Sequence, residues 1–321
     1  MTSEVSTTKL PVIDMGQLSI LTLGLGQDTE PTQEEWQRVT RELYEAFTKF
    51  GCAYLTNHGI PEDELSLLYD SMAAFFNSES EKKNRYAFDL DTFEGYMALD
   101  TASYGSGTHE LHEGLVLKTD GVVDEPEIPS FKPAVAASLK SYRALSNTIM
   151  TALSLSLGKD PDYLASLHKD RGTANSSTSM RVNYYPPVPA TVPEGTTRFG
   201  AHRDFSTISF IVQDNRGGLQ VQDTEGSWLD VNPIPGTIIL LAGEFFGSYS
   251  GDKFIAPIHR VIISAEELQR SVPRISTNYF VHADNQVPFK LLDSSSTEKS
   301  MTVKEYLSSR IMKALNKSTK E

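Results

Sequence analysis

The stretch His202-Arg203-Asp204-Phe205-Ser206, running on into Thr207-Ile208-Ser209-Phe210-Ile211-Val212-Gln213, decides how this chain folds. Thr207 to Gln213 reads as a half-buried strand. If the preceding segment is also extended, His202 and Asp204 share a face, because side chains two apart on a strand do. They can then reach one metal ion. A second imidazole comes from His259-Arg260-Val261, far downstream, so that segment must be another strand folded back. Two imidazoles and one carboxylate are the ligand set that holds non-haem Fe(II) and leaves positions open for small ligands. Arg274-Ile275-Ser276 places a cation and a hydroxyl on one strand face. The set points to an iron enzyme that activates oxygen with a carboxylate co-substrate.

Outward from this stretch, turn signals recur at short intervals: Asn215-Arg216-Gly217-Gly218, Asp223-Thr224-Glu225-Gly226, Pro233-Ile234-Pro235-Gly236 and Ser250-Gly251-Asp252. Short strands between such turns argue for a β-sandwich or jelly roll. Upstream the period is helical. Trp36, Val39, Leu43, Phe47 and Phe50 mark one face of a helix over 34–50, closed by Gly51. A short apolar strand then leads to the turn Asn57-His58-Gly59. A second helix is expected over 61–77, with Leu65, Leu68, Met72 and Phe75 on one side. A third covers 133–157 and stops at Gly158. A short fourth follows, with Asp160 as N-cap and Pro161 at its first position.

Residues 89–129 read as an irregular glycine-rich loop carrying Tyr96, Tyr104, His109 and His112, and loops of that length often serve as lids or binding loops. A last helix from Thr302 to about Asn316 opens on a Thr302/Glu305 capping box. The expected organisation is a single integrated unit over 1–321. It has a mainly helical region over about 1–175, a β core over about 176–290 and a C-terminal helix over about 300–318, with the helices buttressing one face of the β core.

Composition bounds the function classes. The chain has 321 residues, 39% hydrophobic and 22% charged, as in ordinary globular proteins. A formal charge of −13 repels polyanions, so neither nucleic acid nor an anionic membrane is an expected partner. A single cysteine, Cys52, rules out an intramolecular disulfide and favours a reducing, cytoplasmic compartment. It lies in the apolar run Cys52-Ala53-Tyr54-Leu55 and reads as a buried structural thiol. No secretory leader is expected at Met1-Thr2-Ser3-Glu4, and no apolar run approaches the ~18 residues of a membrane helix.

Further motifs fall in a fixed order along nearly the whole chain: Leu10-Pro11-Val12-Ile13-Asp14, Phe50-Gly51 through Asn57-His58-Gly59-Ile60, and Arg181-Val182-Asn183-Tyr184-Tyr185-Pro186-Pro187. After His202-Arg203-Asp204 come Gly217-Gly218-Leu219-Gln220-Val221, Trp228, Pro235-Gly236, His259-Arg260-Val261 and Glu305-Tyr306-Leu307. In this order they resemble the iron(II)- and 2-oxoglutarate-dependent dioxygenases of the isopenicillin N synthase-like superfamily.

The resemblance implies a double-stranded β-helix (jelly-roll) core, mainly β, with flanking helices. It also implies Fe(II), 2-oxoglutarate and O2 as cofactor and co-substrates, with ascorbate in support. By position, His202, Asp204 and His259 would hold the iron. Arg274 would pair with the distal carboxylate of 2-oxoglutarate through two charge-assisted hydrogen bonds, Ser276 would bond the same group, and Asn183 and Tyr185 would line that site. The implied reaction oxidises a C–H bond of a small organic molecule, by hydroxylation, desaturation or ring formation, with release of succinate and CO2. Asp204 argues against halogenation. Specialised metabolism is the context that the resemblance suggests, and a monomer is compatible with it.

Substrate-facing candidates are Tyr96, Tyr104, His112, Leu115, Phe205, Phe246 and Phe280, with His109 also near the pocket. His58 carries no chemistry in the family, and His168 and His282 are expected at the surface. Arg203 stands where relatives usually carry a small or neutral residue. By alternation it points away from the metal, toward solvent, a salt bridge or the pocket mouth, where it would attract an anionic substrate. Three other readings fit parts of the pattern. One is an isopenicillin N synthase-like oxidase that does without 2-oxoglutarate. The others are a non-catalytic metal-binding β-sandwich module and a zinc hydrolase using the same ligand set.

Overall fold

The computed structural model describes residues 10–24, 30–99, 101, 109–118, 127–263, 272–289 and 300–318. Tyr104 lies outside them.

The N-terminal helices form where the apolar spacing places them. After the short α1 (Ile20–Gly24), α2 (Gln33–Lys49) starts on Thr32, whose Oγ1 accepts from the Glu35 N–H, and buries Val39, Leu43, Ala46 and Phe47. Gly51 then turns the chain at φ +70°. A Cβ there would lie 2.1 Å from the Ile255 carbonyl oxygen, so only glycine fits. α3 (Glu62–Phe76), α4 (Ser80–Asn84) and the long α5 (Phe131–Ser156) follow. The next helix, α6 (Tyr163–Ser166), begins later than Asp160-Pro161 suggests. Asp160 accepts from the Tyr163 N–H through its backbone carbonyl, at 3.0 Å, closing a turn before the helix starts. α7 (Glu244–Tyr249) and α8 (Val303–Ser318) complete the set. At the start of α8 the capping box forms: Thr302 Oγ1 accepts from the Glu305 N–H, and the Glu305 carboxylate accepts from the Thr302 N–H.

The strands make two sheets. The larger has eight, in the order β1 (Val12–Asp14), β2 (Cys52–Thr56), β10 (Ile238–Ala242), β7 (Ile208–Gln213), β12 (Arg274–Val281), β5 (Ser179–Tyr185), β4 (Glu113–Leu117) and β3 (Gly95–Met97). The smaller has four: β6 (Phe199–His202), β11 (His259–Val261), β8 (Leu219–Gln222) and β9 (Trp228–Asp230). They face one another as a jelly roll.

Period-2 alternation divides the interior. On the larger sheet Met180, Val182, Phe210, Val212, Leu240, Tyr279 and Val281 point outward onto α2, α3 and α5, in a core that also contains Ile13 and Val303. Their neighbours Tyr54, Tyr185, Ile211, Ile239 and Leu241 point inward, against Phe199, Leu219, Val221 and Val261 of the smaller sheet. β7 is therefore buried on both faces rather than half-buried, because helices cover the side that would otherwise meet water.

The region expected as an irregular loop over 89–129 holds β3 and β4, which extend the larger sheet, β4 pairing with β5 and β3 with β4. Short runs such as Gly95-Tyr96-Met97 carry too little pattern to announce an edge strand. Cys52 is fully buried and its thiol is pushed up to about 12 by burial, which keeps it protonated. Among the described residues no helix is long and apolar enough to cross a membrane.

Candidate metal centre and adjoining cavity

His202 ends β6 and His259 begins β11, and the antiparallel ladder sets them directly opposite each other. Asp204 follows just past the strand end. Its backbone carbonyl accepts from the Glu244 N–H at 2.7 Å, which fixes it to the start of α7. Nε2 of each histidine lies 3.5 Å from Asp204 Oδ1, and one ligand atom from each of the three residues falls within 4.8 Å of the others. The far ring nitrogens are held by carbonyls: His202 Nδ1 by Gly200 O at 2.8 Å, and His259 Nδ1 by Pro257 O at 3.2 Å. With Nδ1 donating, each Nε2 presents its lone pair to the shared point, as a metal-ligating imidazole must.

Asp204 Oδ2 is buried and has no hydrogen-bond partner. Burial alone would push this carboxyl up, but the His259 and His202 imidazoles prevail and hold it well below the usual carboxylate range. Burial works to lower His259 too, but the Asp204 charge overrides it and raises the imidazole. A buried carboxylate with one oxygen unused between two Nε2 atoms fits a divalent cation.

Arg274 lies at the far end of the same cavity. In the β12–β5 ladder it faces Tyr185, and Ser276 faces Asn183, so all four share the inward side. The guanidinium is 1% exposed. Its Nε donates to Gly217 O at 2.8 Å, Nη2 donates to Gln213 Oε1 at 3.1 Å, and the Tyr185 ring lies 4.7 Å away. Its Nη1 is buried without a partner, and among the described residues no carboxylate forms an ion pair with it. The Asp214 carboxylate is near enough to feel this charge but is taken by the Ile275 and Arg216 N–H groups, which leaves Nη1 for an anion entering the cavity. Asn183 is turned to match: its Oδ1 accepts from Arg181 Nε at 2.8 Å, leaving Nδ2 buried and unused.

One cavity joins the two ends, lined by His202, Asp204, His259, Tyr185, Arg274 and Ser276, with an apolar wall that includes Phe205 and Phe280. Several expected lining residues are elsewhere. Tyr96 and Leu115 point into the helix-facing core, and their strand neighbours Met97 and Val116 line the cavity instead. A strand's neighbouring side chains take opposite faces, so a one-residue difference moves a side chain across the sheet. Phe246 packs 5.1 Å from Phe254 in the same helix-facing core. His112 is behind the wall, stacked on Phe199 at 4.4 Å, with Nδ1 bonded to Arg198 O and Nε2 near Arg181 Nη2. His109 is exposed and does not line the cavity.

His168 and His282, expected at the surface, are both buried. His168 joins Leu164 O to Thr207 Oγ1, and His282 lines the cavity beyond β12. Arg203, expected to point away from the metal, is exposed and lines the same cavity as the triad. Its Nε donates to Ala256 O at 2.9 Å, at the cavity rim. Residues that sequence reasoning missed include Asn278 and His282, which lie two and six positions past Ser276. The signal was there, since the parity of Arg274 and Ser276 continues through 278, 280 and 282. Leu307 and Ile311 of α8 also close the wall, and nothing local in the sequence connects them to a site so distant in the chain.

Comparisons with known proteins show the family. Residues 176–283 match the 2OG-Fe(II) oxygenase superfamily, and residues 10–136 match the family described as non-haem dioxygenase in morphine synthesis N-terminal. The chain is 30% identical to 1-aminocyclopropane-1-carboxylate oxidase homolog 4 of Arabidopsis thaliana over 81% of its own length and 72% of the relative's. It is 29% identical to leucoanthocyanidin dioxygenase of Perilla frutescens, over 82% and 70% respectively. Its fold matches full-length Neurospora crassa T7H in complex with alpha-KG at a TM-score of 0.78 and 23% identity, covering 94% of this chain and 96% of that one.

Proposed function

Because this chain belongs to the 2OG-Fe(II) oxygenase superfamily, we propose that His202, Asp204 and His259 hold its iron(II), while Arg274 and Ser276 anchor 2-oxoglutarate in the adjoining cavity. The protein is a non-haem Fe(II)- and 2-oxoglutarate-dependent dioxygenase that oxidises a small organic molecule. Bound together, iron and 2-oxoglutarate would supply the activation of O2: one oxygen atom would enter the succinate formed as 2-oxoglutarate loses carbon dioxide, and the other would be spent on oxidising a substrate C–H bond.

The observation that carries the assignment is the pair of unsatisfied buried groups, Asp204 Oδ2 and Arg274 Nη1, within one cavity. The chain's own residues do the rest. Gly200 O and Pro257 O orient the imidazoles. Gly217 O and Gln213 aim the Arg274 guanidinium so that its remaining donors can meet a carboxylate. Phe205, Phe280, Leu307 and Ile311 keep the reacting end dry.

The test needs no substrate. Without oxygen, Fe(II) and then 2-oxoglutarate are added to the metal-free protein, and the visible charge-transfer band of the chelated keto acid is recorded. The band should be present in the native protein, absent in Asp204→Ala/His259→Ala and weakened in Arg274→Ala. Iron binding without a band would return the assignment to the oxidases that dispense with 2-oxoglutarate, and failure to bind iron would end it.

A further inference from the structure

Beyond the anchor, the inward face of β12 continues through Asn278 to Phe280, with Arg181 and Ser179 opposite them on β5. All four line the cavity. Asn278 lies four residues, ~13 Å of strand, past Arg274, farther along than a short diacid held there needs. Its Oδ1 is buried and bonded to nothing. The other unsatisfied atoms on this side of the sheet, Arg274 Nη1, Asp204 Oδ2 and Asn183 Nδ2, belong to the iron and 2-oxoglutarate ends described above. Arg181, its cross-strand partner, is engaged through Nε with Asn183 Oδ1 and through Nη2 with His112 Nε2, and its guanidinium lies 5.4 Å from the Phe199 ring. The cation is thus committed to the wall, and the uncharged amide of Asn278 is left to face a guest, with Ser179 and His282 also on the lining.

A primary amide offers one acceptor and two donors side by side, and these match the paired N–H and C=O edge of another amide. Whichever way round its O and N are placed, that match holds. The apolar surroundings combine the rings of Phe88, Phe93, Phe205 and Phe280 with aliphatic side chains such as Met97 and Ile311. Phe93 carries a left-handed backbone, φ +56°, rare for a bulky residue, and is held in it by its N–H on Asp89 O at 2.8 Å. Strain of that kind persists where the surrounding structure imposes it to place a side chain.

We propose that the substrate is a flat, uncharged cyclic amide, its N–H/C=O edge on Asn278 and its ring against Phe93 and Phe280. This rests on the iron and 2-oxoglutarate assignment above and adds the class of molecule that the same site takes.

The experiment uses the anaerobic Fe(II)/2-oxoglutarate complex of the full chain and equilibrium dialysis with three probes. They are carbostyril (a two-ring lactam), its N-methyl derivative and naphthoate. Carbostyril should bind about tenfold tighter than the N-methyl compound, the ratio for one lost hydrogen bond, and tighter than naphthoate. Asn278→Leu should lose that preference and Asn278→Asp, whose carboxylate still accepts the N–H, should keep it, while in both 2-oxoglutarate still titrates the charge-transfer band as in the native protein. Four results would overturn the proposal: naphthoate binding tightest, carbostyril binding unchanged in Asn278→Leu, carbostyril failing to bind a complex that shows the band, or 2-oxoglutarate affinity falling with Asn278→Leu. The last would give Asn278 to the co-substrate. A native protein with no band fails at the underlying assignment instead, and the two failures are read on separate signals.

Discussion

His202 stands directly opposite His259 in the β6–β11 ladder, and both imidazoles meet the same oxygen of Asp204 at 3.5 Å. Two of the three side chains come from strands that hydrogen-bond to each other and the third from the turn after one of them, so the cluster's geometry is as rigid as the smaller sheet. Replacing His259 or Asp204 by Ala should abolish stoichiometric iron(II) binding while leaving the far-ultraviolet circular dichroism unchanged. Retention of one iron per chain in both variants would refute the ligand assignment.

Arg274 is aimed by three neighbours, Gly217 O, Gln213 and the Tyr185 ring. Lysine has the charge but not the planar fork. Arg274→Lys should weaken 2-oxoglutarate by roughly tenfold to a hundredfold, the loss of one charge-assisted hydrogen bond of about 1.5–3 kcal/mol. Titration of the charge-transfer band measures this, and equal affinities for Lys and Arg would show that no paired contact is made.

Gly114 is the hole that Arg181 fills. A Cβ on Gly114 would lie 3.0 Å from Arg181 Nη2 and 3.1 Å from its Nε. Gly114→Ala should therefore push the guanidinium off Asn183 and cost about 1–3 kcal/mol, as overpacking does. In urea denaturation the double variant Gly114→Ala/Arg181→Ala should lose less than the sum of the singles. Strict additivity would mean that the two do not meet.

Phe280 lines the cavity, whereas Phe246 is fully buried beneath the helices. Phe246→Ala should cost about 3–5 kcal/mol of stability through the void it leaves. Phe280→Ala should cost less and instead raise the amount of 2-oxoglutarate consumed per substrate oxidised. If Phe280→Ala proves as destabilising as Phe246→Ala, with coupling intact, the wall assignment is wrong.

Buried neutral histidines make the fold acid-sensitive. Burial pushes His168 down to about 3 and His282 down to about 4, from an ordinary value near 6.5. Because the folded values lie below the unfolded ones, the unfolded chain takes up these protons first. The stabilisation is complete above about pH 6.5 and is lost as pH falls toward 3, at about 1.4 kcal/mol per pH unit for each group. His168→Gln should show a shallower decline between pH 6.5 and 4 than the native protein, whatever its stability at pH 8. Parallel declines would rule out His168 as a source.

The division between chain and fold runs along physical lines. The pairs His202/Asp204 and Arg274/Ser276 were legible from a spacing of two residues, whereas His259 was legible only from its type and from the order of motifs along the chain, because nothing local ties it to the other two. The long helices were legible from spacing too, since α2 and α5 repeat their apolar positions over many turns. β3 and β4 are too short to show a period, so the sequence does not tell which face of the sheet Tyr96 and Leu115 take. The burial of His168 and His282 was invisible because it depends on what packs over them, Thr207 and Leu164 for one and the cavity wall for the other. The sequence by itself determined which residues could bind a metal and a carboxylate, because that is covalent chemistry plus strand alternation. Only the tertiary structure decided that they share one cavity, that Asn278 faces it unpaired, and that α8 closes it with Leu307 and Ile311. Those facts are set by contacts between segments far apart in the chain, which no local period records.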